Sequence, residues 1–297
     1  MRGEGTKKLM PHTMSRTGDV LAGFHAAWGF ESDSVLIRYE RGIRTPKLFQ
    51  ALGERRVPLE AIEGVTLAPG RRGTVVLRLE PRPGADPLME AAAGQLKESS
   101  DPYRLVLPAE RETLAEYYAD ELRALLTESG PAERHLVAPP EAPLQFKAYD
   151  GKAGFDGTAV SFRWFWTGAS SAKWKAGDQR FPIGELSGVE WRSPEVFEGH
   201  LRLLRRDAGA PPAQADQDPA AVVFGLGYGP VHESLPFAAA VLAAVRTSAP
   251  VPAVSAAGRR DPADIAERIR HLGELHQAGL VTDEEFSSKK AELLSEL

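Results

Sequence analysis

Apolar residues alternate with polar ones along several short stretches of this chain. The alternating apolar positions are Val35, Ile37 and Tyr39; Val75, Leu77 and Leu79; and Val160, Phe162, Trp164 and Trp166. A period of two places successive side chains on opposite faces, so these stretches predict β-strands with one buried face. The chain is therefore expected to be rich in strands.

The alternating stretches belong to a pattern that occurs twice. The matched segments are residues 29–31 (Gly-Phe-Glu) with 154–156 (Gly-Phe-Asp), 56–59 (Arg-Val-Pro-Leu) with 180–183 (Arg-Phe-Pro-Ile), and Gly73, Val75 and Leu77 with Gly199, Leu201 and Leu203. Their separation along the chain is nearly constant. Internal repeats of this kind predict two copies of one structural module in series.

Each copy is expected to end in one amphipathic helix. The helix predicted near residues 110 to 126 would turn Leu114, Tyr118, Leu122 and Leu125 inward. The helix predicted near residues 231 to 246 would bury Leu235, Val241, Leu242 and Val245. The predicted fold class is α+β, mainly β, with two antiparallel barrels or sandwiches that are each capped by a C-terminal helix.

The regions between these patterns give the expected domain limits. We expect a disordered tail at 1–17, a first module at 18–129, a proline-rich linker at 130–144, a second module at 145–247, a linker at 248–260 and a helical hairpin at 261–297. The segment 205–219, rich in Ala, Pro, Asp and Gln, is expected to form a mobile loop because it can bury little apolar surface. The linker at 130–144 is expected to be a semi-stiff spacer.

The last residues carry start and stop signals for two short helices. Asp261 followed by Pro262 favours a helix start, and Gly279 favours its end. Thr282 with Glu285 forms a capping box for the second helix. The apolar sides of the hairpin, expected to mediate self-association or docking to a partner protein, are formed by Ile265, Ile269, Leu272, Leu275, Phe286, Leu293 and Leu294. Packing of the hairpin on the second module is the alternative.

Two resemblances to known families rest on these residues. Residues 272–294, with Gly279, Thr282, Phe286 and Lys289 in place, resemble the SHOCT module, a short C-terminal domain of bacterial proteins. The paired modules resemble a bacterial family of unknown function that occurs as tandem copies ahead of SHOCT. The residues that carry this second likeness are 154–156, Pro182, Ile183, Gly188, Val189 and 199–203, with Thr74 in the first copy where the second has His200. The resemblance implies a pleckstrin-homology-like (PH-like) fold and no particular reaction.

Composition narrows the classes of function. A formal net charge of −5 and a pI of about 5.9 argue against extensive nucleic-acid binding, since that needs a strongly basic face. The absence of cysteine excludes disulfides and thiol nucleophiles and fits a cytoplasmic protein. The longest apolar run, residues 237–245, is far shorter than the roughly 20 residues that span a bilayer, so membrane contact would be peripheral. No apolar segment of a secretory signal follows the basic N-terminal residues.

The most informative surface is expected in the hairpin after the second strand of each copy. Basic residues recur there with interleaved aromatic residues, a combination that suits contact with an anionic lipid surface or stacking on single-stranded nucleic acid. The candidate residues are Arg163, Phe165, Lys173, Trp174 and Lys175 in the second copy and Arg38, Arg41, Arg44 and Lys47 in the first. The alternation favours Trp164 and Trp166 in the core, which leaves Phe165, Trp174 and the lysines exposed. A structural hairpin with solvated charges is the alternative.

Catalytic and cofactor chemistry finds little support in the sequence. A glycine-rich stretch at 225–229 could hold phosphate, but Pro230 removes a backbone donor at the helix start. The seven histidines show no metal-ligand spacing, and no nucleophile motif is present. We therefore expect a non-catalytic binding or scaffold protein without cofactor or metal. A peripheral-membrane adaptor is the first alternative and a small-molecule or nucleotide-binding enzyme the second.

Overall fold

The structure is a computed structural model, and it describes residues 19–206, 209, 211–225 and 231–248. These residues all lie in one compact unit, Met1–Ser248. The predicted tail and the predicted C-terminal hairpin lie outside the described residues. The described fold is mainly β, as the alternation predicts.

The first half of the unit, residues 19–125, contains two antiparallel sheets and three helices. The four-stranded sheet consists, in spatial order, of β1 (Asp19–Ala22), β2 (Ala26–Phe30), β3 (Ser34–Tyr39) and β4 (Glu54–Pro58), with α1 (Lys47–Leu52) between β3 and β4. The three-stranded sheet consists of β5 (Ile62–Pro69), β6 (Thr74–Pro81) and β7 (Arg104–Pro108), with α2 (Pro87–Ala92) between β6 and β7. The helix α3 (Glu112–Leu125) follows and packs against β5 and β6.

The second half, residues 144–248, repeats this order with one helix fewer. Its four-stranded sheet contains β8 (Leu144–Lys147), β9 (Gly151–Phe155), β10 (Ala159–Trp164) and β11 (Gln179–Pro182), with α4 (Ser171–Ala176) between β10 and β11. Its three-stranded sheet contains β12 (Leu186–Arg192), β13 (His200–Arg205) and β14 (Ala221–Val223), and α5 (Ser234–Ser248) follows. The two sheets of each half do not join into a closed barrel in the part of the chain that the structure describes.

The strand register corrects one of the sequence matches. A bulge lies between Ile62 and Gly64 in β5, and the same irregularity recurs at the corresponding residues of β12. Counting from it, Leu77 pairs with Leu67 just as Leu201 pairs with Trp191. Leu201 therefore corresponds to Leu77 rather than to Val75, and the match of Gly73 with Gly199 is wrong. A shift of two residues keeps the same side chains inward, so alternation could not reveal the error.

The apolar faces of the sheets form two hydrophobic clusters, one centred on each half. The inward positions of β3 and β10 are buried as predicted, with Ile37 and Phe162 both at 0% exposure. On α3, Tyr118 and Leu122 are buried, but Leu114 and Leu125 are 44% and 38% exposed, contrary to the expected stripe. The small residues Ala115 and Ala119 take the inward positions instead, because α3 lies close to the sheet.

The halves are joined by more than a linker. Leu88, Ala91 and Ala92 of α2 belong to the hydrophobic cluster of the second half, where α2 packs against α5 and β12. The amide of Gln95 donates to the backbone oxygen of Trp191 at 2.8 Å and accepts from the backbone N–H of Ser193 at 3.0 Å. The two halves therefore share one apolar interface.

The proline-rich linker is not the free spacer that its composition predicts. The backbone N–H groups of Leu136 and Val137 both donate to the carbonyl oxygen of Ala85, at 2.8 and 3.0 Å. The Val137 side chain is 2% exposed and lies in the cluster of the first half. The linker thus packs along the first half before β8 begins.

Candidate functional site

The connection between the third and fourth strands of each half contains the basic and aromatic residues singled out above. In the second half it runs from the end of β10 through α4, and we call residues 163–175 the tryptophan loop. The side chain of Ser170 caps α4 by accepting from the backbone N–H of Lys173 at 3.4 Å. This cap and Gly177, which has φ of 69° and follows the last turn, fix the start and the end of the helix.

Trp164 and Trp166 have different environments, although alternation favours the core for both. Trp164 is the last residue of β10, is 8% exposed and donates its indole N–H to the oxygen of Gly177 at 2.8 Å. Trp166 lies beyond the strand and is 79% exposed. The expectation for Trp166 is wrong because the period of two applies only while the strand continues.

Trp166 and Trp174 form an exposed aromatic pair. Their ring centroids lie 5.3 Å apart with an interplanar angle of 86°, an edge-to-face contact, and Trp174 is 51% exposed. Arg163 and Lys175 are exposed on either side of the pair along the chain, and Phe165 is half-buried. Arg163 lies 3.4 Å from Asp178, with its side chain 77% exposed. The loop therefore exposes two indole rings in contact with one another, and two cations that flank them along the chain.

Lys173 does not belong to this exposed surface, contrary to the prediction. Its ammonium lies 2.5 Å from Oδ2 of Asp150, with the two side chains 0% and 1% exposed. The ammonium also lies 5.0 Å from the centroid of the Trp164 ring. Burial lowers the pKa of the Lys173 ammonium and raises the pKa of the Asp150 carboxyl, and the charge of each partner partly offsets the shift of the other. Lys173 is a buried structural cation.

The first half carries the corresponding loop between β3 and α1. Arg38 pairs with Glu54 at 2.8 Å, as Arg163 pairs with Asp178. Arg41, Arg44 and Lys47 are exposed, and none of them forms an ion pair with another described residue. Between them Ile43 is fully exposed, a feature that the sequence analysis missed because a single isoleucine in a polar loop gives no periodic signal.

The structure therefore divides the predicted surface residues. It exposes Arg163, Trp174 and Lys175 in the same loop as Trp166, exposes Arg41, Arg44 and Lys47 on either side of Ile43 along the chain, and buries Lys173 in the interior. The residues predicted to mediate assembly, Ile265, Ile269, Leu272, Leu275, Phe286, Leu293 and Leu294, all lie outside the described residues. No helix among the residues described is both long and apolar enough to cross a bilayer.

Comparisons with known proteins agree with the internal duplication. Residues 28–123 and 153–242 each match the family described as Domain of unknown function (DUF4429). Residues 267–294 match the Short C-terminal domain, SHOCT. None of the curated proteins matches the chain. Since the two segments of the first match cover more than half of the chain, the protein belongs to the DUF4429 family, with two copies of its domain and a SHOCT domain after them.

Proposed function

We propose that this chain is a non-catalytic binding protein with two PH-like halves, and that its second half docks on an anionic lipid surface through the tryptophan loop. The observation that carries the proposal is the exposed edge-to-face pair of Trp166 and Trp174. Two large aromatic side chains exposed side by side form an apolar patch on the surface. Such patches are typical of interaction sites.

The chemistry of the loop fits the boundary between lipid headgroups and acyl chains. Tryptophan is enriched at that depth because its ring is apolar while its N–H can still reach water or headgroups. Arg163 and Lys175, which are exposed in the same loop, can contact phosphate groups, and each basic residue near an anionic surface contributes about 1 kcal/mol. Both halves expose an apolar side chain among cations at this loop, Trp166 in the second and Ile43 in the first.

The strand order supports a PH-like assignment for each half. Four antiparallel strands are followed by three, and a helix follows the last strand. The two sheets of each half meet at one corner, where the backbone N–H of Phe24 donates to the oxygen of Val106 at 2.7 Å. The corresponding contact in the second half joins Tyr149 to Val223 at 3.0 Å. The resemblance stated from sequence implies the same fold.

Sedimentation with vesicles tests the lipid proposal. The full chain should pellet with vesicles that contain phosphatidylglycerol and stay in the supernatant with pure phosphatidylcholine. The double variant Trp166→Ala, Trp174→Ala should lose most of this pelleting, and Arg163→Glu with Lys175→Glu should lose it too. Tyr117→Ala, which removes a 54% exposed aromatic ring from α3, is the matched control and should bind as the wild type does. Equal pelleting of the double tryptophan variant would contradict the proposal.

A second candidate function is that of a scaffold that assembles through its SHOCT domain. The match over residues 267–294 and the apolar stripes predicted there favour it. Two short helices with one apolar side each are marginal alone and need a packing partner. Light scattering on the full chain and on a chain without residues 259–297 tests this function. An unchanged oligomeric state together with no lost partner would contradict it.

A further inference from the structure

A cleft in the second half has the features of a ligand site. It has a volume of about 420 Å³, within the range of small-molecule sites. Its floor is the outer face of the sheet β12-β13-β14, and the segment 213–216 forms one wall. The cleft is distinct from the tryptophan loop. Its polar residues come from three separated segments of the chain.

The duplication shows that the fold does not require the polar residues of this floor. In register, Glu190 and His200 of the second half correspond to Thr66 and Val76 of the first, and Arg192 corresponds to Ala68. The first half forms the same three-stranded sheet with these small or apolar residues. The arginine of the floor is common to both halves, since Arg78 pairs with Asp101 at 3.1 Å as Arg202 pairs with Asp218 at 3.0 Å. The other polar residues of the floor, Glu190, Arg192 and His200, are therefore the additions that belong to the second half.

The arginine at the base of the cleft is already neutralised. Arg202 is 7% exposed, and its guanidinium lies 3.0 Å from Asp218 and 3.1 Å from Glu190. It also donates to the oxygen of Pro212 at 3.0 Å, which ties the covering segment to the sheet. Because the charge of Arg202 is offset by these two carboxylates, Arg202 does not attract an anion into the cleft. The covering segment, which its composition predicts to be a mobile loop, is anchored at this point.

His200 leaves an unpaired acceptor beside a carboxylate. Its Nδ1 lies 2.7 Å from the oxygen of Glu198, and since a carbonyl only accepts, Nδ1 carries the proton. In the neutral ring Nε2 is then an acceptor, and it has no hydrogen-bond partner in the described part of the chain. Oε1 of Glu190 lies 3.6 Å from this nitrogen, and His200 is 6% exposed. Nε2 of His200 and the carboxylate of Glu190 are both hydrogen-bond acceptors. A ligand that carries a hydrogen-bond donor is therefore favoured next to them.

The rim adds negative charge and an apolar wall. Glu198 and Asp216 are exposed at the mouth of the cleft, against the single exposed cation Arg192. Phe197 is 66% exposed and Val196 46% exposed, so a ligand could cover both. An aromatic face next to carboxylates is a favourable place for a cation.

We infer that this cleft binds an organic cation, an ammonium or guanidinium group on an apolar stem. The charged group would lie at Glu190 and His200, and the stem would lie against Phe197. The same chemistry occurs in free amines and in the lysine or arginine side chains of a peptide.

Titration calorimetry on the full chain distinguishes these sources. Agmatine, which carries both an amine and a guanidinium, is the free probe, and a short blocked peptide with one arginine is the second. Saturable binding of agmatine indicates that the ligand of the cleft is a free amine. Binding of the peptide but not of agmatine indicates that the ligand is a side chain of another protein. ATP and succinate serve as anionic probes.

Substitutions that introduce the corresponding residues of the first half separate an effect on binding from an effect on folding, because the first half folds with those residues. Glu190→Thr and His200→Val introduce residues that the first half has at the same positions, and each should weaken cation binding by about tenfold or more. Phe197→Ala, at an exposed position, should weaken it as well. Glu63→Thr, an exposed carboxylate of β5, is the matched control and should have no effect. The inference is overturned if neither cation binds, if ATP binds more tightly than both, or if Glu190→Thr leaves binding unchanged.

Discussion

The ammonium of Lys173 lies 2.5 Å from Oδ2 of Asp150 in the interior of the second half. In the first half the residue four positions before the glycine that ends the short helix is Phe49, which stacks on Tyr39 at 4.8 Å. Lys173 holds the same position before Gly177 and lies over Trp164. An aromatic pair in one copy is thus replaced by a cation over an aromatic ring in the other, with Asp150 supplying the counter-charge.

Removing either partner of this pair should destabilise the protein strongly. Lys173→Ala would leave the Asp150 carboxylate buried without a counter-charge, at a cost of about 3–5 kcal/mol in the free energy of unfolding. The double variant Lys173→Met, Asp150→Asn should regain much of that loss, because no unpaired charge remains. Urea denaturation measures both. Lys175→Ala, two residues away and exposed, should change the free energy by about 0.5 kcal/mol or less.

The contact between α2 and α5 predicts that the two halves unfold together. Leu88 is completely buried in the cluster of the second half although it belongs to the first. Leu88→Ala should lower the free energy of unfolding by about 2–5 kcal/mol, while Leu114→Ala, at an exposed position of α3, should have little effect. A single calorimetric transition is expected. Two separate transitions in the wild type would show that the shared interface contributes little.

The turn between β9 and β10 makes part of the stability depend on pH. Asp156 accepts from the hydroxyl of Thr158 at 2.7 Å, from two backbone N–H groups at 2.8 Å and from Arg180 at 3.0 Å. These contacts, the Thr158 hydroxyl first, lower the pKa of the Asp156 carboxyl below its usual value. The stabilisation is therefore present above the pKa of the unfolded chain, about 3.9, and is lost as the pH falls toward the folded value.

Asp156→Asn should accordingly flatten the acid side of the stability profile. Denaturation midpoints of the wild type should fall between about pH 5 and pH 2, and the variant should show a smaller fall over that window. Glu63 accepts no hydrogen bond and forms no ion pair within the described ranges, so Glu63→Gln serves as the control. Identical acid slopes for wild type and Asp156→Asn would contradict the role given to this carboxyl.

The sequence predicts the repeated architecture because burial of one sheet face requires apolar residues at every second position. This alternation is kept in both copies although their sequences have diverged. The sequence does not predict which residue of β13 corresponds to which residue of β6, since a shift of two residues leaves every inward side chain inward. The antiparallel strands of each half and the helix that follows the last of them can be predicted from the pattern. The packing of α2 across the two halves does not, because it depends on the shape of a surface formed by distant segments.

The candidate surface could be predicted only in part, because the burial of its residues depends on parts of the fold that are distant in sequence. A lysine in a polar segment is normally solvated, so nothing local reveals that Lys173 is buried against Asp150, a residue from a preceding turn. Trp166 continues the alternation in sequence but lies past the end of β10 in space. The cluster around His200 joins residues from β12, β13 and the segment before β14, and sequence spacing does not bring them together.

Quenching of tryptophan fluorescence by brominated lipid tests the central proposal most directly. Of the five tryptophans, Trp28, Trp164 and Trp191 are 0%, 8% and 5% exposed, so contact quenching reports mainly on Trp166 and Trp174. With vesicles of brominated phosphatidylcholine and phosphatidylglycerol, we predict strong quenching for the wild type and little for the variant Trp166→Ala, Trp174→Ala. Fluorescence of the wild type that is unchanged by these vesicles, under conditions where the protein is folded, would contradict docking through the tryptophan loop.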